Sequence, residues 1–279
     1  MEAIVNIPIL RAFNDQSMKI SRLLLLAIFC VLLSSCFDTT ETYTLNANGS
    51  YKLSYEVNVG SLFKAFKGMV PDSLLNNPSI KNKDTVINIA KATPDSVLKT
   101  LNKQQLRILA NTNLSQKINL KEGLILIRYT SSGDNLDDMN YFVRDFNNIV
   151  KRAQIKSDII PVGNAPQEDA ESNKDKDVLP ISNKEYDLII TPNSFERKIK
   201  PELMAQKIAK DKDSFAMLEG MNMKMPPIPY AIIINLPRAA KSVDNPKAVL
   251  SADKKQFKLE VDMMDAIKNP EMLNFKVSY

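Results

Sequence analysis

The sequence contains no histidine among its 279 residues. This absence removes the commonest general base and the commonest metal ligand, and with them ordinary zinc sites and serine–histidine or cysteine–histidine nucleophiles. Only seven glycines occur, and no GxSxG, P-loop or GxGxxG motif is present. A serine–lysine pair or a carboxylate pair stays open, but no spacing selects one. We therefore expect no enzymatic activity, no cofactor and no bound metal.

Cysteine is nearly as scarce, because the chain contains only Cys30 and Cys36. The 243 residues after Cys36 hold no thiol, so a hydrophobic core rather than disulfides must stabilise their fold. Hydrophobic residues make up 44% and charged residues 25% of the chain, as is typical of a globular protein. The net charge is +5, but basic and acidic residues are interleaved, so we expect no nucleic-acid partner.

An apolar run of eleven residues, 23–33, follows Lys19 and Arg22. A membrane-spanning helix needs about 20 such residues, whereas the hydrophobic region of a secretory signal needs about 7–15. The run therefore predicts a signal peptide over residues 18–35. Met18 then has the character of the true start, which makes residues 1–17 a mis-assigned start or an extension.

The run ends in Leu33-Ser34-Ser35-Cys36, which resembles the lipobox of bacterial lipoproteins. The resemblance implies that Cys36 is acylated, that the peptide is cut before Cys36, and that the lipid anchors the chain to a membrane. Two or more acyl chains anchor stably where a single chain binds only marginally. Phe37 replaces the aspartate that marks inner-membrane retention, which favours the outer membrane over the inner, with the body in the periplasm or at the cell surface.

Beyond the signal, the pattern predicts an α+β fold with a mostly antiparallel sheet built from hairpins and helices packed on one face. We expect an N-terminal half over residues 36–160, a disordered loop or linker over residues 161–182, and a C-terminal half over residues 183–279. The two halves belong to one domain or to two. Within the first half, residues 37–42 are expected to form a polar tether and residues 70–93 a mobile linker.

Alternating and helical periodicities place the individual elements. Hairpins are predicted over 42–59, 114–131 and 185–199, and further strands over 230–236, 248–250, 257–261 and 275–279. Helices are predicted over 61–68, from a cap at Thr93, over 134–153, from Pro201 towards Leu218, and over 263–268.

Two clusters could bind metals, although each has a simpler explanation. Residues 133–138 (GDNLDD) offer oxygen ligands suited to calcium, but they miss the EF-hand spacing, and helix capping explains the same residues. Four methionines offer thioethers suited to copper(I), but methionine also fills irregular cores and interaction surfaces. They are Met217, Met221, Met223 and Met225.

Four triplets, beginning at Asp38, Asp72, Asp84 and Asp95, resemble the Asp-Ser/Thr motif glycosylated on exported proteins of Bacteroidetes. The resemblance implies that these positions face solvent. The early hairpin likewise resembles that of small α+β envelope lipoproteins of the same phylum, whose function is unknown.

These observations give two functional hypotheses. The first is an envelope lipoprotein, anchored at Cys36, whose non-catalytic body is an interaction or structural module for an envelope protein partner. The alternative is an envelope protein that binds a lipid or another apolar ligand.

Overall fold

The computed structural model describes residues 38–60, 63–64, 82–152, 185–210 and 227–279. Its strands, in chain order, are β1 (Asp38–Leu45), β2 (Tyr51–Asn58), β3 (Asn82–Asn88), β4 (Thr112–Asn119), β5 (Leu124–Gly133), β6 (Tyr186–Thr191), β7 (Ser194–Ile199), β8 (Pro229–Asn235), β9 (Ser242–Val243), β10 (Val249–Leu250), β11 (Gln256–Asp262) and β12 (Phe275–Ser278). Its helices are α1 (Ile89–Ala92), α2 (Asp95–Leu98), α3 (Lys103–Ala110), α4 (Leu136–Arg152), α5 (Pro201–Lys210) and α6 (Met263–Lys268), with a 3₁₀ turn at Pro270–Leu273.

The strands form two sheets. The large sheet has eight strands in the order β10-β11-β8-β1-β2-β5-β4-β3, and the small sheet has four in the order β6-β7-β12-β9. Only β1 and β8 run parallel among these neighbours; the other pairs are antiparallel. The predicted α+β class with mostly antiparallel strands is confirmed. Strands β8, β10 and β11, from the C-terminal part of the chain, complete the sheet that β1–β5 begin.

The large sheet has a buried inner face and a polar outer face. Along β1 the buried residues alternate with partly exposed threonines, so that Glu41 and Tyr43 point inward while Thr40 and Thr42 point outward. This period-two pattern is expected of an antiparallel sheet with one face on the core.

Two layers cover the inner face. The small sheet packs through aromatic rings on the part formed by β1, β8 and β11. The ring centroid of Phe195 lies 4.9 Å from that of Tyr43 in an edge-on contact and 5.8 Å from that of Phe275 in a stacked contact. Helices α3 and α4 pack on the part formed by β2, β5 and β4. Buried aliphatic and aromatic side chains from both parts form one continuous core.

The first hairpin turns as its sequence predicts. Gly49 has φ of +85°, a conformation that side chains with a Cβ disfavour. Its N–H donates to the carbonyl of Asn46 at 3.0 Å, and Asn46 N–H donates to the carbonyl of Ser50 at 2.9 Å. The hairpins 114–131 and 185–199 and the helix that ends at Arg152 are also confirmed.

Three local predictions are wrong. Residues 38–42 are not a tether but the start of β1, since threonine suits a strand and Glu41 is buried. Residues 82–92 of the predicted linker form β3 and α1; as an edge strand, β3 carries little hydrophobic pattern. Thr93 does not cap a helix, because its hydroxyl donates to the carbonyl of Ile89 at 2.8 Å.

Other predictions lie outside the described residues. They concern the extension 1–17, the signal peptide 18–35, Cys36, the linker 161–182, the end of the helix begun at Pro201, and most of the predicted helix 61–68. No helix within the described ranges is long and apolar enough to cross a membrane.

Candidate functional site

A buried ion pair joins the two sheets. Glu41 stands on the inner face of β1, and Arg197 stands on the face of β7 that packs against it. Their side chains are 4% and 1% exposed, and Arg197 Nη1 lies 3.1 Å from Glu41 Oε2. The pair lies between residues 156 positions apart in the chain. Because both charges are removed from water, they depend on each other and on neighbouring hydrogen bonds.

Tyrosine side chains complete the surroundings of this pair. Tyr230, on the neighbouring β8, donates to Glu41 Oε1 at 2.7 Å and accepts from Arg197 Nη1 at 2.8 Å. Tyr43, two residues along β1, donates to Glu41 Oε2 at 2.9 Å. The ring centroid of Tyr186 lies 3.8 Å from the guanidinium carbon of Arg197, which is a cation–π contact. We call these residues, with Tyr55, the inter-sheet cluster.

Burial and the neighbouring charges shift the pKa values of the tyrosines and of Arg197 in the inter-sheet cluster. Burial raises the pKa of Tyr43, Tyr55 and Tyr230 well above the usual value, and the charge of Glu41 raises each further, so these phenols keep their protons. Burial lowers the pKa of Arg197, but the facing Tyr230 and Glu41 more than offset this effect, leaving that pKa well above its usual value. Tyr43 and Tyr230 therefore act as neutral donors beside the charged Arg197.

Several buried polar atoms of this region lack a hydrogen-bond partner among the described residues. They include Nε and Nη2 of Arg197, the Tyr55 hydroxyl and the Thr39 hydroxyl. Tyr55 pairs with Glu41 across β1 and β2, and Thr39 pairs with Tyr230 across β1 and β8. Buried polar atoms of this kind are usually hydrogen-bonded to protein or to water, and the described residues hold others away from this pair, among them both side-chain polar atoms of Gln116.

Asp138, in the acidic cluster at the start of α4, is held by protein contacts. Asp138 accepts from Arg107 Nε at 2.5 Å and Nη2 at 2.6 Å, and from Gln104 at 3.0 Å. The Asn135 side chain accepts from the Asp138 N–H at 2.9 Å, as in a helix cap. Hydrogen bonding from Arg107 lowers the pKa of Asp138. These contacts link α3 to α4, and no metal-binding group of acidic or cysteine side chains occurs within the described ranges.

Cys36 lies two residues before β1, and Met217, Met221, Met223 and Met225 lie outside the described residues. Of the triplet acceptors, Thr39 is fully buried and the Thr85 hydroxyl is buried, so neither faces solvent. Ser96 is exposed, and it is the acceptor in the described ranges that fits the glycosylation motif sterically.

Sequence reasoning missed the inter-sheet cluster. It assigned Glu41 to a tether and left Arg197 without a role. The available signal was the alternation Thr39, Glu41, Tyr43, Leu45, which puts the glutamate in phase with buried aromatic and aliphatic residues. Arg197 has the same phase in β7, between Phe195 and Ile199.

Comparisons with known proteins add little to this description. No family model matches the sequence, and no curated protein matches it significantly. The folded domain of LppM from Mycobacterium tuberculosis, solved by NMR, is similar over 88% of this chain and 90% of that chain, with 8% identity and a TM-score of 0.37.

Proposed function

We propose that this chain is a lipid-anchored lipoprotein of the bacterial envelope, with a non-catalytic body held at the membrane through acylated Cys36. The supporting sequence is the charged start, the eleven-residue apolar run and the Leu-Ser-Ser-Cys ending. The structural support is that β1 begins at Asp38, so the lipidation position immediately precedes the folded body.

This arrangement leaves almost no spacer between the membrane and the body. Two residues span at most about 7 Å of extended chain. Asp38 opposes Asn58 and Thr39 opposes Tyr230, so the ends of β1, β2 and β8 share the end of the large sheet nearest the anchor. Glu41 lies three residues farther, about 10 Å along the strand. The inter-sheet cluster is therefore close to the proposed membrane surface.

Radiolabelled palmitate tests the anchor. The wild-type chain is expected to incorporate label, and Cys36→Ser is expected to abolish labelling and to leave the precursor uncut. Cys30→Ser is the matched control, because it changes the other cysteine within the apolar run and should leave labelling intact. Labelling that persists in Cys36→Ser, or that disappears only in Cys30→Ser, would contradict the proposal.

For the body, we propose an interaction or structural module that contacts an envelope protein, with the outer membrane as the favoured location. The absence of histidine and of nucleophile motifs in the sequence supports a non-catalytic role. Crosslinking in intact cells, followed by purification of the full chain in detergent, should recover the same envelope protein repeatedly. Recovery of no reproducible partner would count against this role.

A further inference from the structure

The hairpin of β4 and β5 extends beyond the start of β1 at the anchor end of the large sheet. Asp38, the first residue of β1, opposes Asn58 of β2, which in turn opposes Leu126 of β5. Strand β5 begins two residues before Leu126, and the turn that joins it to β4, residues 120–123, lies farther out. Measured along the strands, this turn is about 10 Å beyond Asp38.

The turn is covered by the chain that leaves β2. Val59 N–H donates to the carbonyl of Ile125 at 3.0 Å, and Phe63 N–H donates to the carbonyl of Val59 at 2.9 Å. Phe63 packs on a small core formed by Val59, Ile118, Leu120 and Ile125. Gly123 has φ of +64°, and the stem of Lys64 lies so close that a Cβ at Gly123 would collide with it. We call residues 120–123, with Phe63 and Lys64, the hairpin tip.

The proposed anchor would hold the hairpin tip at the depth of the lipid head groups. Cys36 and Asp38 are two residues apart, which is at most about 7 Å. Neighbouring strands are rotated by about 20–25°, so the two steps from β1 to β5 reduce the reach of the tip along β1 to about 7 Å. The head-group layer is about 5–8 Å deep on each side of a bilayer. With β1 upright on the membrane, the tip therefore reaches the level of Cys36.

The other side of the sheet does not extend in this way. Thr39 opposes Tyr230 of β8, and Pro229 of β8 opposes Asp262 of β11, so these strands end at the level of Asp38. Asp262 caps α6, and its carboxylate accepts from the N–H of Met264 at 2.8 Å. The hairpin tip is thus the part of the described sheet that projects farthest towards the anchor.

The side chains of the hairpin tip suit a layer of lipid phosphates. Lys64 and Lys121 are exposed, and Phe63 is partly exposed between them and the small core. Glu122 is the acidic residue of the tip, so two lysines and one glutamate leave a charge of +1. Ammonium groups donate charge-assisted hydrogen bonds to phosphate oxygens, while their stems pack on apolar surface.

We propose that the hairpin tip binds the phospholipid head groups of the membrane that holds Cys36, with Lys64 and Lys121 donating to phosphate oxygens. The proposal rests on the anchor of the proposed function, which brings the body to the bilayer, and names the surface of the body that contacts lipid. Together the acyl chains and the tip fix the orientation of the body, so that the turn between β1 and β2 points away from the membrane.

Fluorescent labels at the two ends of the sheet test this orientation. The processed and acylated chain contains no free thiol, so Glu122→Cys and the control Ala47→Cys each accept one label. The full chain is reconstituted in vesicles of phosphatidylethanolamine and phosphatidylglycerol that contain a lipid with a nitroxide on its head group. The label at position 122 should be quenched at least about threefold more than the label at position 47, because β1 separates position 47 from Asp38 by about 24 Å.

A flexible spacer separates binding by the hairpin tip from the constraint of the short tether. About eight glycine and serine residues inserted between Phe37 and Asp38 free the body to move away from the membrane. Quenching at position 122 should persist in this spacer variant, and should fall at least about threefold when Lys64→Glu and Lys121→Glu are added. Lys254→Glu with Lys255→Glu is the matched control, since these exposed lysines lie at the opposite end of the sheet. It should leave the quenching unchanged.

Three results would overturn the proposal. Equal quenching of the two labels would show that the body lies on its side or stands clear of the membrane. Loss of quenching in the spacer variant with its lysines intact would show that the hairpin tip has no affinity for head groups. Equal effects of the two pairs of lysine substitutions would remove Lys64 and Lys121 from the contact. Failure of the anchor is distinguishable, because that chain lacks palmitate and leaves the vesicles, whereas failure of the tip leaves an acylated, vesicle-bound chain whose label at position 122 is unquenched.

Discussion

A glutamate–arginine pair lies at each face of the large sheet, and burial gives the two pairs different roles. On the outer face, Arg128 on β5 pairs with Glu56 on β2, with side chains 43% and 30% exposed. On the inner face, Arg197 pairs with Glu41, and both are almost completely buried. Solvent screens the first pair and weakens it, whereas the second is surrounded by tyrosines and connects two sheets. A glutamate and an arginine therefore form a solvated surface pair on the outer face, whereas on the inner face they join the two sheets.

Removing one arginine from each pair should separate these roles most strongly. We expect Arg197→Met to lower the free energy of unfolding by about 3–5 kcal/mol, because Glu41 is left buried without its cation. Arg128→Met should lower it by less than about 1 kcal/mol, since Glu56 stays hydrated. Urea denaturation of the full chain in nonionic detergent measures both values.

A double variant separates the pair from the packing around it. Glu41→Leu combined with Arg197→Met removes both charges, so it should be clearly more stable than Arg197→Met alone. If the double variant is as unstable as the single one, the loss comes from packing and the ion pair is not what joins the sheets. Equal effects of the two single arginine variants would contradict the comparison of the faces.

Breaking the Arg107–Asp138 pair, which joins α3 to α4, should lower stability by an amount between the effects of Arg128→Met and Arg197→Met. We expect Asp138→Asn to lower the free energy of unfolding by about 1–3 kcal/mol, because it removes the carboxylate that accepts from Arg107, Gln104 and Asn135. Hydrogen bonding from Arg107 lowers the pKa of Asp138 in the folded chain.

This lowered pKa sets the pH dependence of the Asp138 contribution. A carboxyl group with a depressed folded pKa stabilises the fold above its unfolded pKa, about 3.9, and loses that contribution as pH falls through the folded value. The difference between wild type and Asp138→Asn should therefore be constant near pH 7 and shrink below about pH 4. A difference that grows on acidification would show that another group dominates.

The smallest changes in stability are expected for substitutions of two tyrosines of β2. Tyr51→Phe removes a hydroxyl that is hydrogen-bonded to Ser131 and should destabilise the chain by about 1 kcal/mol. Tyr55→Phe removes a hydroxyl without a hydrogen-bond partner among the described residues and should leave the chain as stable or slightly more stable. Thermal unfolding of the full chain in nonionic detergent compares them. A larger loss for Tyr55→Phe would mean that its hydroxyl has a structural partner.

These contrasts also show what the sequence could and could not predict. The hairpins and α4 were predictable because alternation and three-to-four periodicity are local signals. The α3 helix was missed although its capping box, Asn102 with Gln105, is also local. The polar start of β1 concealed Glu41, because threonine and glutamate suggest a solvated segment. Its pairing with Arg197 depends on strands far apart in the chain, and no local pattern specifies it.

The most direct test of the buried ion pair is a double-mutant cycle on the full chain in nonionic detergent. Urea denaturation measures the free energy of unfolding of the wild type, Arg197→Met, Glu41→Leu and the double variant. We predict that the effects of the two single substitutions are not additive, with a coupling energy of about 2 kcal/mol. A coupling energy near zero would contradict the account that the charges of Glu41 and Arg197 join the two sheets.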